Sequence, residues 1–510
     1  MQQNVVYQGV TKVSTKFNKG SKMELIRNDY DGFEFKTKPY AHQLEAFKKS
    51  CEEENWALFM EMGCGKSKVL IDNAAYLYQE GKIDAVIIIA PKGVYTNWTN
   101  KEIPTHLPDR IPAKLTTWRT NLTKATRKEL TEGLENKEGL NILVANIEAF
   151  VSKNFNQYVQ KYIAGRRFML VVDESTTIKN PTAKRTKACI ALGDSALYRR
   201  VLTGSPVVQS PLDLWSQCAF LDKKLLGFNS YYGYQARYAV TRKMSTSTHS
   251  FNKVVGYRNI EELHAKLGSF SSRVLKKDCL DLPDKVYTIR EVEMTKEQQE
   301  HYNSLKEFAV TLLNDNEVVS TPAAMTQMLR LQQVLCGYLK TDDGELVAIK
   351  NNRLSALLET IEEISGKVII WARFRKDIQD IVKALQKQYG EGSAGAYYGS
   401  TESKVRELLI DRFQSPSEAC RFFVGNPQTA GFGLTLTAAS NVIYYSNDFN
   451  LENRVQSEDR CHRIGQKNKV TYIDLMTRNS IDQYIVKKLQ SKIKIASKTL
   501  GEELKEWLEI

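Results

Sequence analysis

The chain has 510 residues, 42% of them hydrophobic and 26% charged, and its 72 Lys and Arg exceed its 59 Asp and Glu to give a formal charge of +13. At about 100–200 residues per domain this allows roughly two to four domains and excludes a wholly disordered chain; no run approaches the ~18 apolar residues of a membrane span, and the polar opening Met1–Lys22 lacks the apolar centre of a secretory signal. The surplus of bases on a chain also rich in acids predicts a folded protein with a basic surface and a polyanion partner, because neutralising phosphates releases counterions.

Residues 1–35 carry few apolar anchors and are expected to form a lead-in or a small sheet. From Tyr40 onward short apolar runs alternate with longer amphipathic segments. Strands are predicted at Trp56–Phe59, Ala85–Ala90, Asn141–Ala145, Phe168–Val172 and Arg200–Leu202, with helices at Ser67–Glu80 and Thr182–Leu192. The second half repeats the theme. Strands are predicted at Val368–Trp371, Gly395–Tyr398, Arg421–Gly425, Asn441–Ser446 and Val470–Leu475, and helices at Lys376–Tyr389 and Val405–Phe413. Continuous apolar strands between helices indicate an α/β protein with parallel sheets covered on both faces. Leu282-Pro283-Asp284 breaks the chain, so one lobe is expected over 36–285 and a second over 286–510. The stretch from Ile481 is read as a charged amphipathic helix packed on the last lobe. The eight cysteines, Cys51, Cys64, Cys189, Cys218, Cys279, Cys336, Cys420 and Cys461, are scattered without CxxC spacing. Neither a disulfide framework nor a zinc ribbon is expected; they read as buried small hydrophobes in a reducing cell interior.

Three segments carry chemistry. Met60-Glu61-Met62-Gly63-Cys64-Gly65-Lys66-Ser67 stands between a predicted strand and a predicted helix, as a P-loop does. Gly63 and Gly65 let backbone amides approach phosphate, Lys66 would reach the β and γ phosphates of ATP, and Ser67 would bind Mg²⁺. Met60 stands where the general pattern has its first glycine. Asp173 and Glu174 close an apolar strand. Asp173 would hold Mg²⁺ through water, and Glu174 would orient or deprotonate the attacking water. Gln456, Arg460 and Arg463, spaced by four and seven, are predicted on one helix face, with the arginines in the finger role. Since they lie in the second lobe, ATP would bind in the cleft between lobes.

At this point the sequence resembles the helicase-like ATPases of superfamily 2, and among them the Snf2 family. Pro39-Tyr40-Ala41-His42-Gln43 looks like its adenine-reading Gln motif, and Glu61–Ser67 is similar to EMGLGKT. Ala90-Pro91-Lys92 with Trp98 and Glu102 matches its next motif, and Asp173–Asn180 resembles DEAHRIKN. Leu202-Thr203-Gly204-Ser205-Pro206 resembles LTGTP, and Thr429–Ala439 looks like RAGGLGINLTAA. Gln456–Gln466 (QSEDRCHRIGQ) is close to the family's QAxDRxHRIGQ. The resemblance covers about residues 38–475. It implies two RecA-like lobes with small helical protrusions, ATP hydrolysis, and duplex DNA held across both. Gln43 would read adenine, and Gly63, Gly65, Lys66, Ser67 and Asp173 would bind the nucleotide and its Mg²⁺. Glu174, Gln456, Arg460 and Arg463 would be catalytic. Thr203 and Ser205 would couple nucleotide state to DNA, while Lys92, the turn Asn146–Glu148, Arg373, Ser400 and Thr429 would contact its backbone.

There are departures. Ser175-Thr176 replaces Ala-His, which puts coupling in doubt. Phe432 occupies a place that is often Gly, and Leu451 one that is often Pro. Residues 221–280 hold a basic, aromatic stretch including Tyr231, Tyr232, Tyr234, Arg237, Tyr238, Arg242, Lys243 and Lys253, read as a DNA-facing protrusion over a structural helical insert. Residues 296–340 are expected to supply a second protrusion. Without a chromatin-reading module the chain fits a bacterial or phage protein of the cytoplasm (nuclear if eukaryotic), and as a monomer, since two lobes complete one ATP site. The leading expectation is an ATP-dependent translocase that tracks duplex or branched DNA to remodel it or displace proteins. The alternatives are a strand-separating or branch-remodelling helicase or annealing enzyme, and a nucleotide-gated DNA clamp with little turnover.

Overall fold

The computed structural model describes residues 29–502, apart from 31, 93, 120–121, 246–249, 316–321, 341–344, 417–419 and 431–433. Most of the expected lead-in, and the departure at Phe432, lie outside the described residues. Of the lead-in, Asp29–Tyr30 pairs antiparallel with Phe33–Glu34.

Lobe 1 is built on seven strands. In chain order they include β1 (Asn55–Met60), β2 (Ala85–Ala90), β3 (Ala113–Thr117), β4 (Leu140–Asn146), β5 (Phe168–Asp173) and β6 (Tyr198–Leu202). A two-stranded hairpin follows, β7 (Ala239–Ser245) with β8 (Ser250–Tyr257), and the seventh sheet strand is β9 (Ser271–Val274). The order across the sheet is β9-β1-β6-β5-β2-β4-β3, and every pairing is parallel. Lobe 2 has β10 (Lys285–Glu291), β11 (Lys367–Trp371), β12 (Ala394–Tyr397), β13 (Phe422–Gly425), β14 (Ala439–Tyr444) and β15 (Val470–Met476). Their order is β10-β15-β14-β11-β13-β12, again wholly parallel. The chain is an α/β protein of two RecA-like lobes.

The apolar runs explain why the sheets form. All six residues of β2 are buried, and alternation divides them between two cores: Ala85, Ile87 and Ile89 face one cluster, Val86, Ile88 and Ala90 the other. β11 divides likewise, with Val368 and Ile370 on one side and Ile369 and Trp371 on the other. A strand buried on both faces cannot alternate with polar residues, which is why it reads as one continuous run. Truncating any one of these isoleucines to Ala should cost roughly 2–5 kcal/mol.

The helices that place the site are α1 (Ala41–Ser50) and α2 (Lys66–Gln79) in lobe 1. Between β6 and β9 come α3 (Tyr231–Tyr238), the hairpin, and α4 (Ile260–Gly268). The expected basic, aromatic unit over 221–280 divides accordingly. Tyr234 and Tyr238 are fully buried in the lobe 1 core, and the Tyr234 hydroxyl donates to Pro211 O at 2.8 Å, so neither ring is free to stack on a base. Residues 271–274 are an edge strand of the main sheet. What stays exposed includes Tyr232 on α3 and the β7–β8 ribbon, with Arg242, Lys243 and Lys253.

After β9 the short helix α5 (Lys276–Cys279) leads through Leu280–Asp284 into lobe 2. A helical pair, α6 (Lys296–Asp315) and α7 (Pro322–Cys336), follows β10. Later come α8 (Leu451–Glu458) and α9 (Ile481–Leu500). An apolar cluster bridges the lobes: Val208 of lobe 1 packs with Tyr302, Val334, Leu451, Ile485 and Leu489. The far end of α9 returns to lobe 1, where Leu500 joins the core and Glu502 pairs with Arg273 at 2.6 Å. The expectation that this helix packs on the last lobe holds for its first half alone, because its later apolar residues meet lobe 1. No described helix is long and apolar enough to cross a membrane.

Candidate active site between the lobes

The phosphate loop joins β1 to α2. Gly63 and Gly65 both sit at φ +86°, where a side chain is strained. At Gly65 there is also no room: a Cβ would lie 2.2 Å from Gln43 Nε2. Gln43 is buried on α1, donates from Nε2 to Cys64 O at 3.3 Å, and accepts from Tyr40 N at 3.0 Å. Its amide is thus braced against the loop. Lys66 Nζ folds back to donate to Met60 O at 3.0 Å, and Ser67 stands half-buried in the first turn of α2.

β6 lies between β1 and β5, so Thr203-Gly204-Ser205 emerges between the phosphate loop and the acidic pair. Gly204 meets the loop backbone: a Cβ there would be 3.2 Å from Met62 N. Thr203 Oγ1 donates to Glu174 Oε2 at 3.4 Å and accepts from Ser205 N at 3.2 Å. Asp173 ends β5, its Oδ2 accepting from Trp98 Nε1 at 2.9 Å and its Oδ1 from Glu174 N at 3.0 Å. Glu174 has a left-handed backbone, φ 48° and ψ 62°. For a non-glycine residue that costs on the order of 1 kcal/mol and persists where surrounding structure enforces it. Burial pushes both carboxyls up. Glu174 rises to about 7, with Lys66 opposing the shift and Asp173 adding to it.

Lobe 2 supplies the other wall. Gln456 lies on α8 and donates to Glu452 Oε1 at 3.3 Å, while its own Oε1 is buried without a hydrogen-bond partner among the described residues. α8 ends at Glu458, so Arg460 and Arg463 stand on the turns that follow it rather than on its face. They are brought together another way. Both donate to Leu434 O, at 3.2 and 2.9 Å, and Arg460 Nε donates to Gln456 O at 3.0 Å. Arg460 Nη2 lies 3.0 Å from Met62 Sδ of the phosphate loop, 398 residues away in sequence. A Cβ on Gly63 would be 3.9 Å from Arg463 Cβ. Burial lowers Arg460 to about 10, and the neighbouring Arg463 adds to that; burial lowers Arg463 too. Two desolvated guanidiniums at the phosphate loop favour an anion of high charge.

Further contacts cross the cleft. Thr176 Oγ1 donates to Glu452 Oε1, and Lys179 Nζ pairs with Glu452 Oε2 at 3.6 Å. The shorter Thr176 therefore still reaches lobe 2. Lys276, which sequence reasoning did not single out, pairs through Nζ with Asp459 Oδ1 at 2.7 Å and donates to His462 O at 2.8 Å. Nothing in the sequence marks it, since its partner lies 183 residues further on. Asp173, Glu174 and Ser67 offer hard oxygen donors beside Lys66, and burial raises both carboxyls. That donor set fits Mg²⁺, which takes one or two protein oxygens and completes its shell with phosphate and water.

A family model of the SNF2-related domain matches residues 40–338, more than half of the chain, and one of the helicase conserved C-terminal domain matches residues 350–465. The chain belongs to the Snf2 family. Relatives include an uncharacterized ATP-dependent helicase of Mycoplasma genitalium, 27% identical over 87% of this chain and 40% of its own length. A probable ATP-dependent DNA helicase of Arabidopsis thaliana is 27% identical over 88% of this chain and 40% of its length. The transcription regulatory protein SNF2 of Saccharomyces cerevisiae is 26% identical over 88% and 26%. The chain thus spans well under half the length of these relatives. Among solved structures, the Sulfolobus solfataricus SWI2/SNF2 ATPase core in complex with dsDNA is 23% identical, with 91% of this chain and 92% of that one aligned and a TM-score of 0.41.

In this Snf2-family chain the residues expected at DNA are more dispersed than those expected at ATP. They lie at or just beyond the C-terminal ends of strands, where open α/β sheets bind ligands, with Asn146 itself closing β4. Lys92 follows β2 and Ser400 follows β12, both exposed. Arg373 and Thr429 follow β11 and β13. Arg373 lines a cavity of about 310 Å³ together with Asn426, Gln428 and Asp448, and its guanidinium donates to Gln332 on α7.

Proposed function

We propose that the chain is an ATP-dependent DNA motor that hydrolyses ATP between its lobes and tracks duplex DNA, remodelling it or displacing bound proteins. The observation that carries this is the approach of Arg460 and Arg463 to the phosphate loop. Neither lobe alone holds both the loop and the arginines, so completing the site and closing the cleft are one event. Gln43 would read adenine, and the loop amides with Lys66 would hold the phosphates. Ser67 and Asp173 would hold Mg²⁺, whose charge would help to neutralise the phosphates. Glu174, as carboxylate, would orient and deprotonate the attacking water, with Gln456 beside it. Arg460 and Arg463 would take up charge developing on the transferred phosphoryl.

The reading of the polyanion as DNA is supported by family membership, the net charge of +13, and basic groups beyond the strand ends of both lobes. Steady-state ATPase of the wild type, Lys66→Ala and Glu174→Gln tests it, with no nucleic acid, single-stranded DNA, duplex DNA, forked DNA and RNA in parallel. Strong duplex stimulation, abolished in both variants, is expected, together with triplex displacement. Turnover unaffected by any nucleic acid would overturn the motor. Strand separation is a second reading, supported by the exposed β7–β8 ribbon, and a fluorescent fork assay decides between the two.

A further inference from the structure

Cys64 stands between the two glycines of the phosphate loop, and Cys279 closes α5, the last helix before the chain crosses into lobe 2. They are 215 residues apart in sequence, yet the Cys279 thiol points at Cys64 with the sulfurs 3.7 Å apart. Of the eight cysteines, seven are buried and Cys279 alone is half-exposed, so the pair has one open side. A disulfide requires about 2.05 Å between sulfurs. The remaining approach falls on a loop where Cys64 is flanked by Gly63 and Gly65, both at positive φ.

The surroundings divide the labour between the two sulfurs. The Cys279 thiol donates to Cys64 and, with Lys66 and Lys276 nearby, holds the Cys64 thiol below its usual range against burial and Glu61. Cys279 is correspondingly held above it, first by that same contact with Cys64 and then by burial. Of the two, Cys64 gives up its proton more readily, and Cys279 is the partner that resolves it.

We propose that Cys64 and Cys279 form a reversible dithiol–disulfide site, oxidised by a peroxide small enough to enter past Cys279, and that the bond shuts the phosphate loop. The Cys64 sulfur attacks one peroxide oxygen, the O–O bond breaks to give a sulfenic acid, and the departing hydroxide takes the proton that the Cys64 thiol gave up and leaves as water. The Cys279 sulfur then attacks the Cys64 sulfur, the S–O bond breaks, and the hydroxide departs with the thiol proton as a second water. Two thiols have lost two electrons and the peroxide has gained them. The consequence for turnover rests on the ATP reading above. The bond would tether the middle of the loop to α5, whose Lys276 is itself pinned to Asp459, so the loop could not open around phosphate.

The full chain, reduced and desalted, is treated with hydrogen peroxide and examined in two ways: peptide mass under non-reducing conditions, and binding of a fluorescent ATP analogue. A linked peptide containing Cys64 and Cys279 is expected, with a loss of nucleotide affinity of about tenfold or more that dithiothreitol reverses. Cys279→Ser and Cys279→Ala should bind nucleotide as the wild type does and keep that binding after peroxide. Absence of the linked peptide, or equal loss of affinity in the Cys279 variants, overturns the proposal. Failure of the ATP reading shows separately, as reduced wild type that binds no nucleotide, and the linked peptide then still decides the disulfide.

Discussion

Lys276 of lobe 1 holds Asp459 of lobe 2 at 2.7 Å, and neither side chain is as much as a tenth exposed. The backbone amide of Lys276 also donates to Glu61 Oε2 of the phosphate loop at 2.8 Å. One residue thus ties the loop to the segment that carries the arginines. Removing one partner of a buried ion pair strands the other and costs roughly 3–5 kcal/mol. Lys276→Met leaves Asp459 with Lys285, whose Nζ is 3.9 Å away, so the lower end of that range is expected. Urea unfolding should show this loss, small-angle scattering should show a wider molecule, and adding Asp459→Leu should recover most of the stability. A single variant as stable and as compact as the wild type would remove the tie.

The acidic pair gives a pH dependence with a definite sign. Burial, opposed by Lys66 and reinforced by Asp173, raises Glu174 to about 7. The carboxyl is protonated below that pH, and a protonated acid cannot take a proton from water. ATPase kcat/KM should therefore climb as pH rises through about 7, and Glu174→Gln should flatten the profile and lower the rate by roughly 10²–10⁴-fold. Stability runs the other way. A folded pKa above the unfolded value of ~4.3 means this group's contribution is complete below ~4.3 and is lost as pH rises through the folded value. A wild-type profile flat from pH 6 to 8 would remove Glu174 from the role of base.

How much of this was legible in the sequence follows from where each signal resides. β2 and β11 are read at once because both faces are buried and the run is apolar throughout. β10 is not, because Lys285–Glu291 is an edge strand with alternating half-buried and exposed residues and polar composition. The β7–β8 hairpin has no Asn-Gly or Asp-Gly at its turn, so the local signal is missing. The phosphate loop and Asp173-Glu174 are legible because their chemistry is concentrated in a few consecutive residues. Lys276–Asp459 and Cys64–Cys279 are contacts between distant segments and have no local pattern. Spacing alone places Arg460 and Arg463 on one helix face, but the helix ends at Glu458, and Leu434 O gathers them instead.

Thr176 replaces the family's usual histidine, and its hydroxyl donates to Glu452 of α8, beside Gln456. Glu452 also pairs with Lys179, so one carboxylate receives two groups from lobe 1. Thr176→Val keeps the shape and removes the donor. Basal ATPase should change less than twofold, because no group at the phosphates is touched. Stimulation by duplex DNA should fall several-fold, since the lobes lose a bond made only across the cleft. Comparing basal with stimulated rates separates this from general damage, which would lower both, and an unchanged stimulation ratio would show that Thr176 does not couple them.

Arg242 on β7 and Lys253 on β8 are direct cross-strand partners, with Lys243 next in line opposite Asn252. Like charges placed opposite each other destabilise a ribbon, and among the described residues this ribbon pairs with no third strand. An anion along it would offset the repulsion, and a two-stranded ribbon has the width of a DNA major groove. Arg242→Ala, Lys243→Ala and Lys253→Ala together should therefore weaken duplex binding at low salt. The slope of log K against log salt should become shallower by about 0.9 for each charge that meets a phosphate. Removing the repulsion should also leave the fold intact or slightly more stable, so thermal unfolding should not fall. Measured binding at three or more salt concentrations tests it: a parallel line, displaced or not, would mean that the ribbon meets no phosphate.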